Sequence, residues 1–265
     1  MKLRIVAAAL VAPVAALAIA AASAQNPSTG YVGKGQLVVQ TAVAGVDKLT
    51  VGGDIALEER GALVRLDVLS LAIPGQDAVV SSVLGTQLFP PGGFTVVYDR
   101  AAATYTVWSN ARRAYYTNAT SGAAKPSATA PPLGNAIGAA GDLFAPLAFA
   151  KGLRDDTAFT ASVSLVGHGP VNGHPATGVD YQYARTTRAG EKTDVHGRLQ
   201  LADDLDEVPV QITASVHSKS IPQSSLRLDL TSIAKLTPSD GDFAVPAGYT
   251  RTADLGGVLG KTLAP

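Results

Sequence analysis

The sequence predicts a mainly β protein of antiparallel strands arranged in two meanders. Three observations carry that prediction. Apolar and polar residues alternate with period two through most of the chain. Turn-forming Gly, Asn, Asp and Pro punctuate the alternation at short intervals. Only one stretch, 141–153, reads well as a helix.

Residues 1–24 are read as a secretory signal peptide. Lys2 and Arg4 form a basic start, Ile5 to Ala22 is an apolar run, and Ala22-Ser23-Ala24 is a cleavage site of small residues. Pro13 and the Ala-heavy, Leu-poor run speak against a membrane anchor. The mature chain is then expected to begin at Gln25 and to form a single domain, 25–265, in a bacterial periplasm or secreted. Cysteine is absent. This removes disulfides, thiolate chemistry and Cys-type zinc sites. Basic and acidic residues number 21 each, so loss of Lys2 and Arg4 leaves a net charge of −2. That balance gives no footprint for nucleic acid.

The first meander opens with Leu37, Val39 and Val43 against Gln36 and Gln40. Leu49, Val51, Ile55 and Leu57 alternate with Thr50, Asp54 and Glu58, and Val64, Leu66 and Val68 with Arg65 and Asp67. Gly45-Val46-Asp47 and Arg60-Gly61 supply turns. Residues 74–93 suit a short helix or an irregular edge. "FTVVYDRAAATYTVWSNARRAYYTN" reads as two or three strands turning at Asp99-Arg100. From Asn118 to Gly141 the chain is rich in Ala, Pro, Ser and Gly, as a loop is. In "GDLFAPLAFAKGL" an Asp at the start and a Lys near the end suit a helix dipole. Its apolar faces need cover.

The second meander alternates Phe159, Ala161, Val163 and Leu165, then Val179, Tyr181 and Tyr183, then Val195, Leu199 and Leu201. Val208, Val210, Ile212 and Val216 follow, and last Leu226, Leu228 and Leu230. One face of such a sheet is apolar and the other wet. A Gly-rich tail is expected from Asp254.

Between the first two of these strands lies "VGHGPVNGHPATG". Inward residues fall at odd numbers on both sides, so the connection needs an odd number of residues. A three-residue loop, Val171-Asn172-Gly173, meets that need, with Gly173 left-handed. His168 and His174 then sit on a hairpin tip, without a third ligand nearby for a metal. His196 and His217 take the polar parity of their strands, with Asp194 and Arg198 beside the first. They read as solvated surface residues or, if a serine lies within reach, as part of a hydrolase site. "ADDLDEVP" and Asp240-Gly241-Asp242 are acidic turns and lack the spacing of a calcium loop. The chain has no nucleophile elbow, no H-E-x-x-H and no phosphate-binding P-loop, and nothing in it calls for a cofactor. A non-enzymatic role is expected. Trp108, Tyr105, Tyr115 and Tyr116 are either core or the rim of an apolar cavity.

Several stretches together are similar to a known family: "GALVRLDVLSL", "FTVVYDRAAATYTVWSNARRAYY", "VNGHPATGVDYQY" and "LTSIAKLTPSDGDFAVPAGY". They resemble the periplasmic lipoprotein-carrier-like superfamily, in particular its exported members ending in an F-x-V-P-x-G-Y-like motif. The resemblance implies a curved, half-open antiparallel barrel with one or two short helices on the concave apolar side. It implies an acyl-chain cavity and makes Arg65 the match to an early-strand arginine that contacts a lid. The long loop at 118–141 departs from a compact carrier. The expected ligand-groove residues are Arg65, Tyr105, Trp108, Leu143, Phe144, Leu147, Phe149, Tyr181 and Tyr183. The expected partner is a hydrophobic ligand or a lipidated protein, with peripheral membrane contact compatible. The alternative is an envelope interaction protein with a filled core and no ligand.

Overall fold

The computed structural model describes residues 30–43, 46–73, 92–99, 102, 104–119, 156–187, 190, 192–218 and 224–259. The signal peptide, most of the 118–141 loop and the helix expected at 141–153 lie outside the described residues, as does most of 74–93.

The first meander comprises β1 (Gly30–Val43), β2 (Val46–Arg60), β3 (Leu63–Val68), β4 (Phe94–Asp99), β5 (Thr104–Ser109) and β6 (Ala114–Ala119). Residues 94–118 thus hold three strands, the second turn running through Asn110–Arg113. The second meander comprises β7 (Asp156–Val171), β8 (His174–Thr187), β9 (Lys192–Ala202), β10 (Val208–Ser218) and β11 (Ser224–Lys235). A two-residue strand β12 (Thr250–Arg251) and a helix α1 (Leu255–Leu259) end the described chain. Mainly β architecture is therefore correct.

All strands belong to one 12-stranded sheet in the order β12-β6-β5-β4-β3-β2-β1-β11-β10-β9-β8-β7. The meanders join where β1 pairs with β11, and each fans outward from that seam. The outermost strands, β12 and β7, do not pair with each other, so the sheet is open. Every pairing is antiparallel except β12 beside β6.

Alternation along each strand becomes continuity across the sheet. Leu57, Leu66, Val96 and Val107 stand side by side on β2 to β5. Ala214, Leu226, Val39 and Val51 do the same across the seam. These residues belong to one apolar cluster reaching from β5 to β8. Because strand side chains alternate, a one-residue slip would turn the whole cluster outward, which pins the register.

Two expectations need correction. The stretch read as a Gly-rich tail holds α1, whose Gly257 amide donates to Asp254 Oδ1 at 2.9 Å. Val258 and Leu259 of α1 are buried in the apolar cluster. The β7–β8 loop has two residues, not three. Asn172 and Gly173 have φ of 51° and 88°, and Val171 pairs with His174. Positive φ at both central residues is the type I′ pattern favoured by Asn-Gly. Parity is restored by a β-bulge instead. Leu165 pairs with Val179 but Gly167 with Gly178, so Val166 is the extra residue. The odd residue lies in the β7 bulge and not in the loop. Leu165 faces Val179 as expected, yet it is 59% exposed because β7 is an edge strand.

Gly173→Val is expected to destabilise the fold by about 1–2 kcal/mol, since a β-branched residue must then hold a left-handed conformation. Gly173→Asn should cost less. Urea unfolding of both variants measures the difference, and a neutral Gly173→Val would contradict the turn.

Candidate functional site

The two faces of the sheet divide the predicted groove residues. Tyr105 on β5 lies in the apolar cluster and meets Tyr116 edge to face, ring centroids 6.0 Å apart. Tyr181 on β8 lies in the same cluster. Its ring crosses its cross-strand partner Gly197, and its hydroxyl donates to Thr213 O on β10 at 2.9 Å. Burial pushes the Tyr181 phenol above its ordinary range. Tyr183 takes the same parity, in register with Val195. Leu143, Phe144, Leu147 and Phe149 lie outside the described residues.

Arg65 and Trp108 are on the opposite face. There Trp108 packs with Val97 and Phe243, and Leu63, Tyr115, Val245 and Tyr249 surround them. The Arg65 guanidinium sits 5.8 Å from the Trp108 ring centre. It donates to the Asp242 carbonyl at 2.7 Å and to Asp67 at 3.1 Å. It also lies 3.8 Å from Glu58, whose carboxyl burial raises while Arg65 lowers it.

These contacts explain the late "GDFAVPAGYT" stretch. The chain after β11 crosses this face as a strap. Arg60 pairs with Asp240 at 2.7 Å, and Phe243 is buried beside Trp108. Tyr249 donates to Asn110 Oδ1 at 2.6 Å, and the Thr250 amide to Arg113 O at 2.9 Å. A capping box at Ser239 and Asp242 shapes the turn that presents Phe243. The structure therefore brings Tyr105 and Tyr181 to one face, and Arg65 and Trp108 to the other, under the strap.

The hairpin tip of β7 and β8 is also tied down. Asn172 Nδ2 donates to Val210 O at 3.0 Å and Leu230 O at 2.9 Å, on strands two and three places beyond β8. Val171 packs with Val208, Val210 and their neighbours. His168 lies 3.1 Å from Asp203 and His174 2.9 Å from Asp204, both on the acidic turn between β9 and β10. Thr177 donates to Asp203 at 2.8 Å. Each histidine thus meets its own aspartate, and no group of three or more ligating side chains occurs among the described residues. These aspartates are 26 to 35 positions further along, so local spacing could not reveal them.

Beside this tie, the polar face of β7 to β11 and β1 forms an open trough of about 870 Å³. Cross-strand register builds its floor in rows. Ser162, Gln182, His196, Ser215, Ser225 and Gln40 form one row. Ser164, Asp180, Arg198, Thr213, Arg227 and Val38 form the next. Arg198 holds Asp180 with two prongs, Nη2 at 2.9 Å. Arg227 holds Asp229 likewise at 2.6 and 3.1 Å, and Gln211 adds a third donor at 2.6 Å. The bond from Arg198 holds the Asp180 carboxyl below its usual range. Desolvation raises Asp229, but Arg227 and Gln211 outweigh it and hold that carboxyl low as well.

The sequence singled out His196, His217 and Asp194. Asp194 is directly opposite His217, and Lys192 pairs with Asp194 at 3.1 Å. Ser215 stands opposite His196, but its hydroxyl donates to the His196 backbone carbonyl at 3.4 Å rather than to the ring. That is not a nucleophile–base arrangement. Asp180, Arg227 and Asp229 were missed, although polar parity on neighbouring strands was the signal that could have found them; Asn172 was read only as a turn residue.

No family model and no curated protein matches the chain. One solved structure, a DUF1329 family protein from Desulfovibrio piger, is similar to 88% of this chain over 97% of its own. Identity is 11% and the TM-score 0.21, too low to carry an argument.

Proposed function

We propose that this chain is an exported, non-enzymatic binding protein that shelters an acyl chain, or the lipid of a lipidated partner, against the apolar face of its sheet. The observation that carries this reading is the unbroken apolar face from β5 across the β1–β11 seam to β8, in a sheet whose edges do not close on each other. Among the described residues, the five-residue α1 packs on that face at its β5–β6 end. The likeness of several sequence stretches to lipoprotein carriers points the same way. A fourteen-carbon chain buried at ~0.8 kcal/mol per CH₂ would gain roughly 10 kcal/mol before binding costs, enough for a carrier without a catalytic group.

Native mass spectrometry of protein purified from its own envelope should then show co-purifying lipid. The delipidated protein should bind a fluorescent long-chain fatty acid saturably, at micromolar or tighter affinity. Phe144→Asp should weaken that binding while leaving circular dichroism unchanged. No saturable binding at any chain length, in folded protein, would favour an interaction protein with a filled core.

A further inference from the structure

We propose that the polar trough is a second binding site, for a neutral, hydroxyl-rich chain of the oligosaccharide class. It lies on the face opposite the apolar cluster and does not depend on the lipid reading.

The floor of the trough fixes the chemistry of its occupant. Arg198 and Arg227 line it, and each is already paired side-on with a carboxylate, Asp180 or Asp229. A polyanion would meet the two aspartates, and a polycation the two arginines. An apolar chain would have to strip water from Gln, Ser, Thr and His side chains, at a cost that the few apolar lining residues, Val38, Ala214 and Leu226, do not offset. A neutral chain with a hydroxyl on every unit meets none of these penalties. It can donate and accept at each step, as amides and hydroxyls do.

The two guanidinium–carboxylate pairs add geometry. In each, the two-pronged contact locks donor and acceptor groups into one plane. The arginine side chains are still 49% and 58% exposed, so part of each guanidinium edge remains open to solvent. Such a plate presents donors beside acceptors, which matches neighbouring hydroxyls on a sugar ring. Arg198 and Arg227 share one cross-strand row with Thr213 between them. Two strand spacings separate them by ~10 Å, about the length of a disaccharide unit. A linear oligosaccharide lying across the strands would place alternate rings on the two plates.

The trough is also preorganised. Asp229 is held by Arg227 and Gln211, and the hairpin tip is fastened across β10 and β11 by Asn172. Groups fixed before binding lose little freedom when a ligand arrives.

The test is an array of neutral and sulfated linear oligosaccharides probed with the mature protein, followed by calorimetric titration of the best neutral binder. Binding to neutral oligosaccharides is expected, with affinity insensitive to salt. Arg198→Ala and Arg227→Ala should each weaken it at least about tenfold, and the double variant should abolish it. Circular dichroism should stay unchanged, since both side chains are on the surface. Asp180→Asn, which keeps shape but breaks the charge pairing, should weaken binding as well. Binding to no neutral oligosaccharide, binding only to sulfated chains with strong salt dependence, or binding indifferent to both arginines would overturn the proposal.

Discussion

Trp108→Ala is expected to lower the unfolding free energy by about 3–5 kcal/mol, the range for truncating a large aromatic in a packed interior. Trp108 is 2% exposed and fills the space between the sheet and the strap through its contact with Phe243. Its loss also removes the ring under Arg65. Urea unfolding should show a lower midpoint with the slope preserved. Trp108 is the single tryptophan of the chain, so its fluorescence reports on the strap directly. Phe243→Ala should shift that emission to the red by admitting water. A loss of unfolding free energy below about 1 kcal/mol for Trp108→Ala would mean that the strap does not seal this face.

Such an effect was only partly legible in the sequence. Parity of "LVRLD" placed Arg65 and Asp67 opposite Val64 and Leu66, and the structure agrees. The same counting along "TYTVWS" puts Trp108 opposite Tyr105 and Val107. The clustering of aromatics in this stretch groups Trp108 with the tyrosines, whereas parity separates it from Tyr105. Nothing local said that a chain segment more than 130 residues later would cover this face. Only the "DFAVPAGY" run, apolar yet too irregular for a strand, hinted at it. Long-range closure of that kind depends on topology rather than period. The hairpin was legible in the same limited sense. Parity demanded one odd residue, but bulge and loop satisfy parity equally, and the choice between them rests on Asn172 bonding to β10 and β11. The trough required the register of six strands at once, which no single alternation supplies.

The second large effect is expected at Gly197. A Cβ there would stand 2.1 Å from the Tyr181 hydroxyl oxygen and 2.2 Å from Thr213 O. Flexible side chains can retreat from such a clash, but Thr213 O belongs to the neighbouring strand's backbone. The absence of a side chain lets the Tyr181 ring lie across β9 and reach Thr213, which is how an aromatic makes good a strand glycine. Gly197→Ala should therefore destabilise by about 3 kcal/mol, the upper end for overpacking, although alanine is the better strand residue elsewhere. Tyr181→Phe alone should cost about 1 kcal/mol through the lost hydrogen bond. The double variant Gly197→Ala with Tyr181→Ala separates the causes. If the ring is the main obstacle, the pair will be less destabilised than the sum of the singles. If the backbone carbonyl dominates, the costs will add. Gly197→Ala with no loss in urea unfolding would mean that Tyr181 does not lie across β9.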